Sequence, residues 1–338
     1  MPALILDKFQ RPIRDLRISV IDKCNFRCPY CMPAEIFGAD YNFLTNDLLL
    51  SDDEIVRLAG LFVQLGVAKF RLTGGEPLIR PNLAGLIARL TAVAGVEDVA
   101  LTTNGFFLAE QAQALQRAGL HRLTISLDSL DDGVFQTMNG RKSDVARVLG
   151  GLAAAEAAGF RRIKINCVVR KGVNDHTLVD LARYFRGSGH IVRFIEYMDV
   201  GNLNGWKLDD VVPADEILQR IDAELPIAPA PPNYSGEVAT RYFYEDGLGE
   251  IGMIASVTRP FCGTCTRARL SSAGEYYTCL FAHKGTDLRQ PMRQGATDAE
   301  MLELIGGVWQ RRTDRYSELR TSFTRLPEKG AEMYRLGG

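Results

Sequence analysis

The sequence is short of most features that mark a nucleic-acid binder, a secreted protein or a membrane protein. Its 40 Lys and Arg against 41 Asp and Glu leave a formal net charge of −1. That balance gives no general attraction to nucleic acid or to an acidic membrane surface, and no basic face with interleaved aromatics is present. Any anion it binds must be met by a local group of cations. Long apolar runs are missing too: the N-terminal MPALILDKFQRP is too short for a signal peptide or a membrane span, so a cytoplasmic protein is expected. Histidine is scarce, with 4 residues, and so is cysteine, with 7. The cysteines are not scattered, however. Six fall into two trios, and Cys167 lies alone in an apolar, strand-like segment. This is a pattern of metal ligation, not of disulfides. At 338 residues, of which 46% are apolar, the chain suits a large domain with a smaller companion.

The first trio, Cys24, Cys28 and Cys31 in CNFRCPYC, follows the short apolar run LRISV. Structural zinc wants four ligands and closes its shell, so three thiolates on one tight loop, with no histidine or fourth cysteine nearby, fit an iron–sulfur cube with one open iron. A C-x3-C-x2-C loop with an aromatic before its last cysteine resembles the signature of the radical S-adenosylmethionine superfamily. The resemblance implies a [4Fe-4S] cluster that binds S-adenosylmethionine and, once reduced, yields a 5′-deoxyadenosyl radical.

Beyond the loop, strand-like and helix-like segments alternate. Ser51 and Glu54 form a capping box before an amphipathic stretch running to Gly66. KFRLTGG (from Lys69), DVALTTNG (from Asp98), RLTISLDS (from Arg122), RIKINCVV (from Arg162) and VRFIEYMDV (from Val192) read as strands separated by helices, one of them with Pro81 near its first position. With LRISV, six β-α units imply a parallel sheet: an incomplete (β/α)6 TIM-type barrel, with a doubly wound sheet as the plain alternative. The strands are not continuously apolar. Arg17 with Ser19, Lys69 with Arg71 and Thr73, Thr102 with Asn104, Ser126 with Asp128, and Lys164 with Asn166 each share one face of their strand, which suits a barrel mouth at the carboxyl ends of the strands. Arg17, Lys69, Arg71, Lys164 and Arg193 then converge, and gathered cations with guanidinium forks suit a polyphosphate. TGGEP offers Gly74 and Gly75 for close backbone approach and Glu76 as an acceptor for an ammonium group.

A helix from about Val211, with Pro213 at its start, leads to the Pro-rich PIAPAPPN, read as a linker. Residues 1–225 are expected as the barrel, and 226–338 as a smaller C-terminal α+β domain. In it Cys262, Cys265 and Cys279 form the second trio. A zinc knuckle with His283 as the only nearby fourth ligand competes with a second iron–sulfur cluster that keeps an open site, beside Arg267 and Arg269 on one face of the next strand. Asp298 to Trp309 reads as an amphipathic helix, and the chain ends in Gly337 and Gly338.

Taken together, LRISVIDKCNFRCPYCMP, RLTGGEPLIR, LTTNG, ISLDS, RFIEYMDVGN, FCGTCTRARLSSAGEYYTCLF and the closing Gly-Gly resemble the GTP 3′,8-cyclase family of molybdenum-cofactor biosynthesis over nearly the whole chain. That resemblance implies two [4Fe-4S] clusters, on Cys24, Cys28 and Cys31 and on Cys262, Cys265 and Cys279. It implies S-adenosylmethionine contacts at Tyr30, Gly74, Gly75, Glu76, Ser126 and Met198. GTP contacts would come from Arg17, Lys69, Arg71, Thr102, Lys164, Arg193, Arg267, Ala268 and Arg269. The implied reaction takes hydrogen from carbon 3′ of the ribose and joins that carbon to carbon 8 of guanine. An electron donor, a homodimer, delivery of product to the next enzyme of the molybdopterin pathway, and a terminal Gly-Gly that enters the active site are implied too. Two rivals predict different things. A peptide- or small-molecule-modifying radical enzyme would lack convergent cations, and a non-catalytic iron–sulfur sensor would have no use for TGGEP or the polar lining.

Overall fold

The computed structural model describes residues 5–201, 203–234, 236–320 and 331–337. Strands β1 (Asp15–Ser19), β2 (Lys69–Thr73), β3 (Asp98–Thr103), β4 (Arg122–Ser126), β5 (Lys164–Val169) and β6 (Ile191–Glu196) pair in sequence order, all parallel. Strand order without a reversal is that of a partial barrel; a doubly wound sheet would show a switch point. Helices α1 (Asp52–Gln64), α2 (Leu83–Thr91), α3 (Leu108–Arg117), α4 (Asp132–Asn139), α5 (Val145–Ala157) and α6 (Leu178–Phe185) lie between the strands. Their apolar faces, for example Ile55, Leu58, Leu86, Leu115, Leu152 and Leu181, share one core with the alternate strand residues Leu16, Phe70, Leu101, Leu123, Ile165 and Phe194. Cys167 is fully buried in that core. Burial of this kind is worth about 1.5–3 kcal/mol per large side chain and fixes which strand face is left for the interior.

The expected capping box is present: Ser51 Oγ accepts from Glu54 N at 3.1 Å, and Ser51 N donates to the Glu54 carboxylate at 2.8 Å. Pro81, expected near the first helical position, lies before α2. Asn82 in the left-handed region (φ 53°) starts that helix instead. Helix α4 is absent from the sequence reading; Asp131, accepting from Val134 N at 2.8 Å, caps it.

After α7 (Ala214–Asp222) the chain does not leave the sheet. Part of the Pro-rich segment expected as a linker forms β7 (Ile227–Ala230), antiparallel to β8 (Thr240–Tyr244), which pairs with β9 (Glu250–Ile254). Proline is tolerated there because β7 is an outermost strand. Strand β9 lies parallel beside β6, while β10 (Arg267–Leu270) lies parallel beside β1 and continues into β11 (Glu275–Tyr277) and β12 (Thr286–Asp287). The order is β12-β11-β10-β1-β2-β3-β4-β5-β6-β9-β8-β7. The C-terminal α+β part thus extends the partial barrel at both edges, and residues 255–266 pass from one edge to the other. Helices α8 (Arg289–Arg293), α9 (Asp298–Gln310), α10 (Tyr316–Leu319) and α11 (Met333–Leu336) follow.

Candidate active site

The two cysteine trios stand at opposite ends of the barrel. Cys24 follows the carboxyl end of β1, whereas Cys265 lies two residues before Arg267, which opens β10 and pairs with Asp15 at the amino end of β1. Five residues at a rise of about 3.3 Å put roughly 16 Å of strand between those ends. Between them lies a cavity of about 700 Å³ lined by all six trio cysteines, a volume usual for a small-molecule site.

Each trio has a local geometry that suits thiolates. Cys31 N donates to Cys28 O at 3.0 Å and Cys265 N to Cys262 O at 3.1 Å, so each C-x2-C pair closes a turn. Phe26 N donates to Cys24 Sγ at 3.4 Å, and Phe281 N to Cys279 Sγ at 3.5 Å. Among the described residues, no three His, Cys, Asp or Glu side chains are gathered closely enough to hold one metal ion. His283 does not line the cavity. The donor set, three cysteines per site, fits an iron–sulfur cube.

The cations come next. Arg17, Lys69, Arg71, Lys164, Arg193, Arg267 and Arg269 all line the cavity. Among the described residues none of these seven is ion-paired with a carboxylate, whereas neighbouring Arg122 pairs with Asp98, and Arg162 and Arg241 pair with Glu250. Neutral groups hold several of the seven. Arg71 donates to Thr102 and Thr124 hydroxyls at 3.0 and 3.1 Å, Arg193 donates to Asn166 at 2.9 Å, and the Lys69 ammonium lies 4.0 Å from the Tyr234 ring centroid. Burial first, then repulsion from Arg193, Arg122 and Arg71, pulls the Lys164 pKa down to about 7. Burial, followed by Arg71 and Arg122, likewise lowers Arg193 to about 9; burial and Arg267 lower Arg269 to about 10. Burial, then Arg269 and Arg71, depresses Arg17 well below the usual guanidinium range. A guanidinium keeps its proton in a protein, so this burden is carried as mutual repulsion, which a bound polyanion relieves.

One expectation about placement needs correcting. The polar lining was read as sharing the carboxyl-end rim with the first trio, yet Lys69 and Lys164 open their strands, and Arg17 and Arg71 sit at strand centres. The cations occupy the barrel interior toward the amino ends, between the trios. Period-two alternation gives the face of a residue and not its height. Ala268 is also displaced from its implied place: alternation turns its side chain to the other face, where it is fully buried in the core opposite Leu16.

At the other end, Tyr30, Gly74, Gly75, Glu76, Ser126 and Met198 line the cavity beside the first trio. The two glycines admit backbone, as expected, but the backbone belongs to the cysteine loop. A Cβ on Gly74 would lie 2.4 Å from Ile21 O, and one on Gly75 2.2 Å from Lys23 O. Gly75 N and Glu76 N donate to those same two carbonyls, each at 2.8 Å. Glu76 is buried and accepts from Leu78 N at 3.0 Å, Thr103 Oγ1 at 2.6 Å and Asn104 N at 2.8 Å. Leu78 N and Thr103 Oγ1 share Oε1, while Asn104 N takes one position on Oε2 and leaves that oxygen further acceptor capacity. Burial outweighs them and pushes the Glu76 pKa up to about 7. The Tyr30 hydroxyl donates to Asp128 at 3.0 Å, and burial raises Asp128 to about 7 as well. Burial, then Glu76, moves the metal-free Cys24 thiol up to about 12. At the far end burial also raises Cys265, but Arg267 and Arg312 outweigh it and bring that thiol to about 7.

Asn104 and Asp128, which the period-two pattern sets on the polar strand face, line the cavity together with Tyr234, Arg312 and Asp314. Nothing local in the sequence marks the last three. The C-terminal segment docks on the first trio's rim. Tyr334 packs edge-on against Phe37 with centroids 5.0 Å apart and shares a 2.8 Å hydroxyl contact with Tyr41. Gly337, at φ 69°, lies so close to Thr73 that a Cβ would stand 1.8 Å from its hydroxyl; Gly338 lies outside the described residues.

Two family models match: Radical SAM superfamily over residues 18–185 and Molybdenum Cofactor Synthesis C over residues 190–318. The second match begins before residue 226, where the smaller domain was expected to start. A GTP 3′,8-cyclase of Acidothermus cellulolyticus is 54% identical over 324 residues, 95% of this chain and 90% of the relative. One from Xanthomonas campestris pv. campestris is 51% identical over 336 residues, 99% and 98%, and one from Staphylococcus saprophyticus is 50% identical over 325 residues, 96% and 95%. Among solved structures, Streptococcus suis SuiB superposes with a TM-score of 0.59 at 14% identity, over 89% of this chain and 67% of that one. That likeness concerns the fold.

Proposed function

The chain belongs to the GTP 3′,8-cyclase family, and on that premise we propose how its residues divide the work of converting GTP to (8S)-3′,8-cyclo-7,8-dihydroguanosine 5′-triphosphate, the first step of molybdenum-cofactor biosynthesis. The family uses iron–sulfur clusters and S-adenosylmethionine. In our reading Cys24, Cys28 and Cys31 ligate the cluster that takes S-adenosylmethionine, and Cys262, Cys265 and Cys279 ligate a second [4Fe-4S] cluster facing the guanine. When bound, the first cluster with S-adenosylmethionine supplies a 5′-deoxyadenosyl radical able to take hydrogen from an unactivated carbon.

The protein's own contribution is position and charge. Arg17, Lys69, Arg71, Lys164, Arg193, Arg267 and Arg269 hold the triphosphate, and Thr102, already bonded to Arg71, steadies it. Fixing the nucleotide at both of its ends converts a radical encounter into a directed one. Gly74, Gly75 and Glu76 brace the cysteine loop against β2, with Glu76 Oε2, Ser126, Met198 and Tyr30 beside S-adenosylmethionine. The terminal Gly-Gly belongs to the active site in this reading, supported by Gly337 against Thr73. No helix among the described residues is long and apolar enough to cross a membrane. We extend the reading to a cytoplasmic homodimer, supplied by a separate electron donor, whose product passes to the next enzyme of the pathway.

The observation that carries this reading is the convergence on one cavity of six cysteines and seven cations that form no ion pair with a carboxylate among the described residues. The test is an anaerobic assay of the reconstituted chain with S-adenosylmethionine and GTP. The reading expects 5′-deoxyadenosine only when a purine triphosphate is present; nucleotide-independent formation favours the peptide-modifying alternative.

A further inference from the structure

The loop carrying Cys262 and Cys265 is held from the chain's N-terminus. Arg11 Nη1 donates to Cys262 O at 2.7 Å and to Asp314 O at 3.0 Å, and Arg312 Nη1 donates to Cys265 O at 2.8 Å. Asp7 stands between the two guanidinium groups, 2.6 Å from Arg11 Nε and 3.3 Å from Arg312 Nη1. Its other oxygen accepts from Phe9 N and Arg11 N, both at 2.9 Å. Arg312 lies over the Trp309 ring at 4.4 Å, and Trp309 Nε1 donates to Arg11 O at 3.0 Å, sealing the group from solvent. Side-chain exposure is 3% for Arg11, 1% for Arg312 and 0% for Asp7.

The charges do not cancel there. Two buried guanidinium groups share one buried carboxylate. Asp314, 3.4 Å from Arg312 Nε, is itself 30% exposed and screened by solvent. Arg11 Nη2 and Arg312 Nε are buried without a hydrogen-bond partner. Excess buried charge is costly unless an opposite charge answers it. The Cys262, Cys265 and Cys279 sulfurs are the groups placed to do so, since a thiolate-ligated cluster carries net negative charge that grows when it is reduced. Asp7 and Arg11 fall outside both stretches matched by the family models.

We infer that Asp7, Arg11 and Arg312 form a charge cradle for the second cluster: positioning residues that fix the Cys262–Cys265 loop and make that cluster easier to reduce. The inference rests on the reading that the second trio holds a cluster. Hydrogen bonds and net charge around the sulfurs set the potential of such a centre.

The test is an EPR-monitored redox titration of the full chain, reconstituted anaerobically, as wild type and as Arg312→Gln, Arg312→Lys and Asp7→Asn. S-adenosylmethionine perturbs the signal of the first cluster and so identifies the second by exclusion. The expected result is a shift of the second signal to more negative potential in Arg312→Gln and to more positive potential in Asp7→Asn. Arg312→Lys restores the wild-type value, and the first signal stays in place throughout. Shifts of the same sign in Arg312→Gln and Asp7→Asn, or none with iron fully retained, overturn the cradle. So does loss of iron in Arg312→Gln together with an unshifted second signal in Asp7→Asn, which marks a structural clamp alone. A wild-type chain with iron for one cluster only removes the second-cluster reading itself, a distinct failure.

Discussion

The two cysteine trios share a local design and differ in their surroundings. Both close a C-x2-C turn and both direct a backbone N–H at one sulfur. The first comes from a single loop and sits among carboxylates, Glu76 and Asp128. The second is assembled from two segments, the edge-to-edge crossing and the residues after β11, and is backed by Arg11, Arg267, Arg269 and Arg312. The difference matches the proposed division of ligands: acidic ground suits a sulfonium cofactor, and cationic ground suits a polyanionic nucleotide. One barrel thus sets two cysteine trios of the same local design in opposite fields.

The comparison breaks hardest under cysteine replacement. Cys24→Ala abolishes 5′-deoxyadenosine formation outright. Cys265→Ala keeps the first cluster, so iron falls from about eight to about four per chain, and cyclisation is lost while S-adenosylmethionine still binds. Equal loss of both clusters in Cys265→Ala contradicts the independence of the two ends. The next effect is in the cationic field. Arg71→Ala weakens GTP binding by roughly 2 kcal/mol, about 30-fold, the worth of a charge-assisted contact, and leaves S-adenosylmethionine affinity unchanged; calorimetry reads both.

Acidity gives a subtler contrast. Burial and the neighbouring arginines hold the Lys164 pKa at about 7, and a bound triphosphate raises it. Binding is therefore helped fully below pH 7 and weakens as pH rises from 7 toward the bound-state pKa, with proton uptake on binding. Titrations in buffers of different ionisation heat detect that uptake, and Lys164→Met removes it. Uptake undiminished in Lys164→Met reassigns the proton. The smallest effect concerns support alone. Thr297 caps α9, which leads to Arg312, and Thr297→Ala should lower stability by about 1 kcal/mol, seen in denaturant midpoints, without altering iron content.

The sequence carried the barrel well because its signals are local. A strand buried on one face and lined with cations on the other writes a period of two, and Arg17, Lys69, Arg71 and Lys164 wrote it plainly. The cysteine spacings were equally legible. Three things were not. Height along the barrel has no periodic signature, so the cations were placed at the wrong end. The proline-rich Ile227–Ala230 reads as a linker because only its position at the sheet edge makes proline acceptable. The bonds of Arg11 to Cys262 and of Arg312 to Asp7 join the N-terminal segment to residues some 250 to 300 positions away, and no pattern in composition or spacing announces them.

The central claim is that both trios hold clusters that open onto one cationic chamber. Iron, sulfide and zinc analysis of the anaerobically reconstituted full chain, followed by EPR with each small molecule added separately, tests it directly. The account predicts about eight irons per chain, one signal moved by S-adenosylmethionine and a different one moved by GTP. Iron for a single cluster with stoichiometric zinc, or a second signal indifferent to GTP, would contradict it.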